Sequence, residues 1–148
     1  MSKKKVIISA CLLGHTCRYD GKTKKTTEVV DAFKGCEIIP FCPEAPLFGT
    51  PRERISVVNV DGEHKIITDE SNKDVTKLLE DEINSFIKLH QKVDKIVLKS
   101  KSPSCGVGTT PILDEKKVKV QLGDGIAGSI FKERYNGINI LNENSFNL

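Results

Sequence analysis

A chain of 148 residues, 38% of them hydrophobic and 29% charged, is long enough to fold as one globular domain, residues 1–148, with a buried core. The formal net charge of +3 is too small to favour nucleic-acid binding, and the longest apolar runs are too short to cross a bilayer. We therefore expect a cytoplasmic protein with no membrane partner, no strong nucleic-acid signal and no indicated oligomeric state.

The first part of the chain alternates β-branched runs with a helical pattern, which is typical of a parallel α/β protein. Residues 5–10 predict the first strand, and residues 26–33 predict a helix that ends at Gly35. Residues 37–41 predict the second strand, in which Pro40 favours an edge position or an early stop.

The middle of the chain predicts a hairpin followed by the clearest helix. Residues 55–60 and 64–68 flank an Asp-Gly turn at 61–62, a pattern that indicates two antiparallel strands. Apolar residues then recur at helical spacing over 75–87, behind an N-terminal signal that includes Asp74. This segment therefore predicts a hairpin inserted into the α/β pattern and a long amphipathic helix.

The last part of the chain predicts a buried strand at 95–99, a short strand at 118–122, a helix at 129–136 and a final strand at 138–141. Together the elements predict a Rossmann-like three-layer α/β sandwich with a mostly parallel sheet and a small β-hairpin insertion.

The cysteines are the first chemical signal in the sequence. Five of them, with no C-x-x-C pair, favour metal or catalytic use over disulfides in a reducing compartment. Cys11 and Cys42 directly follow the first two predicted strands, and Cys105 lies in the loop after the strand at 95–99. Because the carboxyl ends of parallel strands share one edge of a sheet, we expect these three side chains to converge in a crevice.

Three thiolates in one crevice suit an iron–sulfur cluster, and a cubane held by three of them leaves one iron without a protein ligand. The alternative for each cysteine is a role as a small buried hydrophobe. Cys17 and Cys36 are expected to be packing residues, although Cys17 is close enough to Cys11 to be an alternative fourth ligand that would close the site.

Several short motifs surround these cysteines, and together they resemble the thiouracil desulfidase family over nearly the whole chain. The matching segments are Cys11-Leu12-Leu13-Gly14, Arg18-Tyr19-Asp20-Gly21, Cys42-Pro43-Glu44, Pro51-Arg52 and Ser102-Pro103-Ser104-Cys105-Gly106. The resemblance implies a [4Fe–4S] cluster on Cys11, Cys42 and Cys105. It also implies a non-redox conversion of C=S to C=O in a thiolated nucleobase or similar thioamide, assisted by Glu44 and Ser102.

The residues themselves suggest how these two side chains act. Glu44 lies two positions beyond a cysteine, where it could activate water or move a proton, or could instead form a salt bridge or cap a helix. Ser102 could donate a hydrogen bond to the substrate, or serve the turn before Pro103. Ser104 is a candidate donor to a cluster sulfur.

Other polar residues have weaker roles in this interpretation. Arg18 either shapes the loop after the first strand or contacts the substrate, and Arg52 is either a substrate contact or an ion-pair partner. The segment 123–128 fits G-x-G-x-x-G, but too few strands follow it for a dinucleotide-binding unit. Its amides could still hold an anion at a helix N-terminus.

Two competing functions remain at this level. In the first, the same cysteines bind zinc or a labile cluster in a non-catalytic, redox- or metal-responsive module. In the second, the glycine-rich turn serves a nucleotide-binding α/β domain, whose binding would survive the loss of all three cysteines.

Overall fold

The computed structural model describes residues 3–14, 26–49 and 52–146. Its elements, in chain order, are β1 (Lys5–Ser9), a 3-10 helix (Ala10–Leu13), α1 (Thr27–Ala32), β2 (Glu37–Phe41), α2 (Glu44–Phe48), β3 (Ile55–Val60), β4 (Glu63–Thr68), α3 (Thr76–Leu89), β5 (Lys95–Val97), β6 (Thr110–Leu113), β7 (Lys119–Gly123), α4 (Ile126–Arg134) and β8 (Ile140–Leu141).

Four strands form a parallel sheet in the order β2-β1-β5-β8. Their β-branched residues suit a sheet buried on both faces, and Ile7 of β1 is in register with Ile39 on one side and Ile96 on the other. The strand that contains Pro40 lies at the edge of the sheet, as the proline predicts. The carboxyl ends of β1, β2 and β5 consequently meet at one edge.

A second four-stranded sheet has the order β4-β3-β6-β7. The predicted hairpin forms its first pair, and Asp61 and Gly62 both adopt the positive φ that a type I′ turn requires. The hairpin is therefore half of a mixed sheet, because β6 adds parallel to β3 and β7 adds antiparallel to β6. The sequence does not signal β6, since Pro111 interrupts its short apolar run.

The parallel sheet is covered on both faces, which gives the predicted α/β layers. One face packs against α3, α4 and the second sheet, through residues such as Ile83 and Phe131. The other face packs against α1 and the 3-10 helix, through Val29 and Leu12. None of the described helices is long and apolar enough to span a membrane.

Two short helices are absent from the sequence prediction, and one boundary is displaced. The 3-10 helix and α2 are only four and five residues long, too short for an apolar periodicity to reveal them. Helix α4 begins at Ile126 instead of residue 129, inside the glycine-rich turn. The 3-10 helix directly follows β1, and α2 begins after Cys42 and Pro43 at the end of β2, so both shape the carboxyl edge of the parallel sheet.

Candidate functional site

Cys11, Cys42 and Cys105 line one cavity of about 430 Å³ at the carboxyl edge of the parallel sheet. Cys42 directly follows β2, Cys11 lies in the 3-10 helix after β1, and Cys105 lies in the long loop between β5 and β6. Cys105 is buried, whereas the other two are partly exposed. The structure thus brings the three predicted cysteines together.

The loop that carries Cys105 is organised around Ser102. The Ser102 hydroxyl oxygen accepts hydrogen bonds from the backbone N–H groups of Ser104, at 3.1 Å, and Cys105, at 3.0 Å. The Ser102 carbonyl accepts from the Thr110 hydroxyl at 2.6 Å and from the Gly106 N–H at 2.9 Å. The turn role anticipated for Ser102 is therefore present, and it fixes the backbone of a cysteine in the cavity.

The glycine-rich segment, residues 123–128, forms backbone hydrogen bonds with the loop that carries Cys105. Backbone N–H groups of Gly125 and Ala127 donate to the carbonyls of Gly106 at 2.8 Å and Ser104 at 2.6 Å. A Cβ atom on Gly125 would lie only 2.7 Å from the Ser102 carbonyl oxygen, so the close approach requires glycine. The expectation that these amides hold an anion is wrong, because they are already bonded to the cysteine loop.

Glu44 opens helix α2 and is buried beside the cavity. Its Oε1 accepts a hydrogen bond from Arg52 Nε at 3.2 Å, and its Oε2 accepts one from the Ser104 hydroxyl at 2.7 Å. Arg52 also donates to the Gly49 carbonyl at 3.0 Å. The carboxylate is thus held from both sides in a defined orientation.

These contacts decide between the alternatives left open for Arg52 and identify a partner for Ser104. Arg52 is the ion-pair partner of Glu44, and its side chain is only 6% exposed. Ser104 donates its single hydroxyl hydrogen to Glu44, and its role as a donor to a cluster sulfur stays a prediction.

Burial raises the pKa of the Cys105 thiol to about 12, and negative charge on Cys42 and Glu44 acts in the same direction. Hydrogen bonds from the Ser9 and Ser102 hydroxyls oppose this rise. Cys105 alone is therefore a neutral thiol, and a nearby cation is needed to make it a thiolate, as metal coordination does.

Sequence reasoning missed Ser9 and Lys99, which also line the cavity. Ser9 is the last residue of β1, is 2% exposed, and accepts a hydrogen bond from the Lys99 N–H at 2.8 Å. Both residues lie at or just beyond the carboxyl ends of neighbouring strands. Their position after neighbouring strands was the available sequence signal.

Of the remaining predicted residues, Arg18, Cys17 and Asp20 lie outside the described residues. Cys36 packs against the apolar cluster that includes Val29, in agreement with its expected packing role.

Zinc and an iron–sulfur cluster place different demands on the residues that bind them. Among residues 3–14, 26–49 and 52–146, no group of three or more His, Cys, Asp or Glu side chains could hold a metal ion. The three cysteines nevertheless face one cavity that has room for a larger group. Thiol donors around such a cavity fit an iron–sulfur cluster, whose ligands attach to different irons, better than they fit zinc.

Comparisons with known proteins agree with this donor chemistry. A family model described as 2-thiouracil desulfurase matches residues 6–144. The fold is similar to a solved structure of the [4Fe-4S]-dependent thiouracil desulfidase TudS, with 33% sequence identity and a TM-score of 0.73. That match covers 96% of this chain and 92% of the other. No curated protein matches the sequence significantly.

Proposed function

Because the chain belongs to the 2-thiouracil desulfurase family, we propose that it removes sulfur from thiouracil-type compounds. The reaction is a hydrolysis without net redox change, in which water and a C=S group yield a C=O group and hydrogen sulfide. The observation that carries this proposal is the cavity shared by Cys11, Cys42, Cys105 and Glu44.

Cys11, Cys42 and Cys105 would hold a [4Fe–4S] cluster in this cavity. Their thiol chemistry fits, and the cluster-dependent TudS supports the assignment by similarity. When bound, the cluster would supply an iron without a protein ligand, a Lewis acid that accepts the sulfur of the substrate.

Glu44 is the proposed general base. A carboxylate offers about four lone-pair positions, and the two contacts to Arg52 and Ser104 use only two of them. The remaining positions can accept a proton from the water that supplies the new oxygen. Both oxygens of Glu44 accept hydrogen bonds, so the carboxylate can accept this proton without a change in its orientation.

Ser102 is proposed to contact the reacting group. Its oxygen already accepts from two backbone amides, so its own contribution to a ligand is the hydroxyl hydrogen. The Ser102 hydroxyl forms a hydrogen bond with the Cys105 thiol, which places it next to a proposed cluster ligand.

The non-catalytic alternatives receive less support. A zinc module requires three or four ligands around one ion, whereas thiols that line a cavity of about 430 Å³ suit a larger group. A nucleotide site at the glycine-rich turn lacks available amides, because those of Gly125 and Ala127 are bonded to the cysteine loop.

The test is anaerobic reconstitution with iron and sulfide, followed by incubation with 2-thiouracil. We expect about four irons per chain for a cubane, broad visible absorption, and release of one sulfide for each uracil formed. Cys42→Ser should lose the cluster and the activity. Cys36→Ser, which changes a cysteine outside the cavity, should keep both. A colourless protein that binds zinc stoichiometrically and releases no sulfide would contradict the proposal.

A further inference from the structure

Lys99 lines the cavity with the three cysteines but has no part in the chemistry described so far. It follows β5 by two residues, at the same sheet edge as Cys11 and Cys42. Its backbone is tied to β1, since its N–H donates to the Ser9 hydroxyl at 2.8 Å. The backbone of Lys99 is therefore held in place by the sheet.

The Lys99 ammonium group is also fixed at its far end. Nζ lies 2.9 Å from Glu143 Oε2 and donates to the Ser100 carbonyl at 2.9 Å. Glu143 in turn accepts from the Ser100 N–H and hydroxyl, each at 2.8 Å. The Lys99 and Glu143 side chains are only 22% and 14% exposed, so this ion pair is largely shielded from water.

One donor of Lys99 remains for a ligand. An ammonium group has three N–H donors and no acceptor, and the contacts to Glu143 and Ser100 use two of them. Within the described part of the chain, no third acceptor contacts Nζ. Arg52, Arg54 and Lys101 also line the cavity; the Arg52 guanidinium pairs with Glu44, and Lys101 is exposed.

We infer that Lys99 binds the substrate through a hydrogen bond to a carbonyl oxygen on its ring, and that Glu143 is the positioning residue that holds Lys99. The inference rests on the proposed function, in which the thiocarbonyl sulfur is taken up at the metal centre. Because Lys99 can only donate, it selects heterocycles that carry an oxo group in addition to the thiocarbonyl. Simple thioamides lack that acceptor and would bind less well.

The experiment pairs a protein change with a substrate change. Steady-state kinetics are measured on 2-thiouracil and on 2-thiopyrimidine, which has the same ring without the oxo group, for the reconstituted wild type and Lys99→Met. In the wild type, loss of the oxo group should raise KM about tenfold or more, as expected for a hydrogen bond to a charged donor. In Lys99→Met, KM for 2-thiouracil should rise by a similar factor with kcat nearly unchanged, and the two compounds should no longer differ.

Two further variants test whether the effect is specific to the Lys99–Glu143 pair. Lys77→Met removes an ion pair of the same 2.9 Å length on the exposed surface of α3, and should keep wild-type kinetics. Glu143→Gln keeps the shape but not the charge, and should reduce the discrimination between the two compounds. If Lys99→Met does not fold, this second variant decides the inference.

Uracil binding separates this inference from the proposed function. Titration of uracil into cluster-free protein should show a dissociation constant about tenfold higher for Lys99→Met than for wild type. If Lys99→Met releases sulfide with the KM, the discrimination between the two compounds and the uracil affinity of the wild type, the role of Lys99 is refuted and the proposed function stands. If Lys99→Met binds uracil more weakly than the wild type but neither protein releases sulfide, the proposed function is refuted and the role of Lys99 in binding stands.

Discussion

The Ser104 hydroxyl donates a 2.7 Å hydrogen bond to the Glu44 carboxylate, across 60 residues of sequence. Ser104 precedes Cys105, and Glu44 follows Cys42 by two positions. The bond therefore joins two of the cysteine-bearing segments directly, so the proposed base and the cavity wall move as one unit.

Ser104→Ala should destabilise the protein and lower its activity. The change leaves one oxygen of a buried carboxylate without its partner, at a cost of about 1–3 kcal/mol in the free energy of unfolding. Urea denaturation measures this cost, and Ser145→Ala at an exposed site is the control. Equal stability of the two variants would show that the Glu44 contact contributes nothing.

Glu44→Gln should abolish turnover without loss of the cluster. The amide has the shape of the carboxylate but cannot accept a proton from water, so kcat should fall by about 10²- to 10⁴-fold. Iron content and visible absorption should match the wild type, which separates a catalytic loss from loss of the metal centre. Glu63→Gln, an exposed change, is the control. Near wild-type kcat in Glu44→Gln would refute its role as a base.

Gly125→Ala should displace the backbone of the loop that carries Cys105. The added methyl group would meet backbone atoms of Ser102 and Pro103 at 2.7 Å, and overpacking of this kind costs about 1–3 kcal/mol. Thermal unfolding and the iron content after reconstitution should both decrease. Gly108→Asn is the matched control, since it adds a side chain in open space at a positive φ that asparagine tolerates. A Gly125→Ala protein that retains wild-type melting and iron content would contradict this account.

Glu53 should make the stability of the second sheet pH-dependent. Hydrogen bonds from the Ser71 hydroxyl and backbone, and from the Glu70 N–H, lower the pKa of Glu53 to about 2 from 4.5, against a small opposing effect of burial. Because the folded-state pKa lies below the unfolded value, this contribution is present above pH 4.5 and is lost as the pH falls toward 2.

The difference in unfolding free energy between wild type and Glu53→Gln should therefore shrink on acidification within that window. Urea denaturation at several pH values measures it, and Glu28→Gln on the exposed surface of α1 provides the baseline. A difference that is constant from pH 6 to pH 2 would contradict the linkage.

The sequence predicted the parallel sheet and the meeting of Cys11, Cys42 and Cys105, because strand ends follow from local patterns and parallel topology. Pro40 likewise located the edge strand. The partners of individual side chains could not be predicted in this way. The Ser104–Glu44 bond and the Lys99–Glu143 pair join residues 60 and 44 positions apart, and they depend on how loops pack after the sheet has formed.

The glycine-rich turn illustrates a second limit. Its pattern fits a phosphate-binding motif, and the same lack of side chains serves here to let α4 approach a backbone loop. The two uses differ in whether a phosphate or a protein backbone approaches the glycines. Here the approaching backbone belongs to residues about 20 positions earlier in the chain.

The two apolar clusters on either side of the parallel sheet consist mainly of hydrocarbon side chains, with Cys105 as one buried member of the first and Cys11 and Cys36 packed against the second. The buried core is therefore mostly hydrocarbon, in contrast to small zinc domains, in which the ion itself holds the chain together.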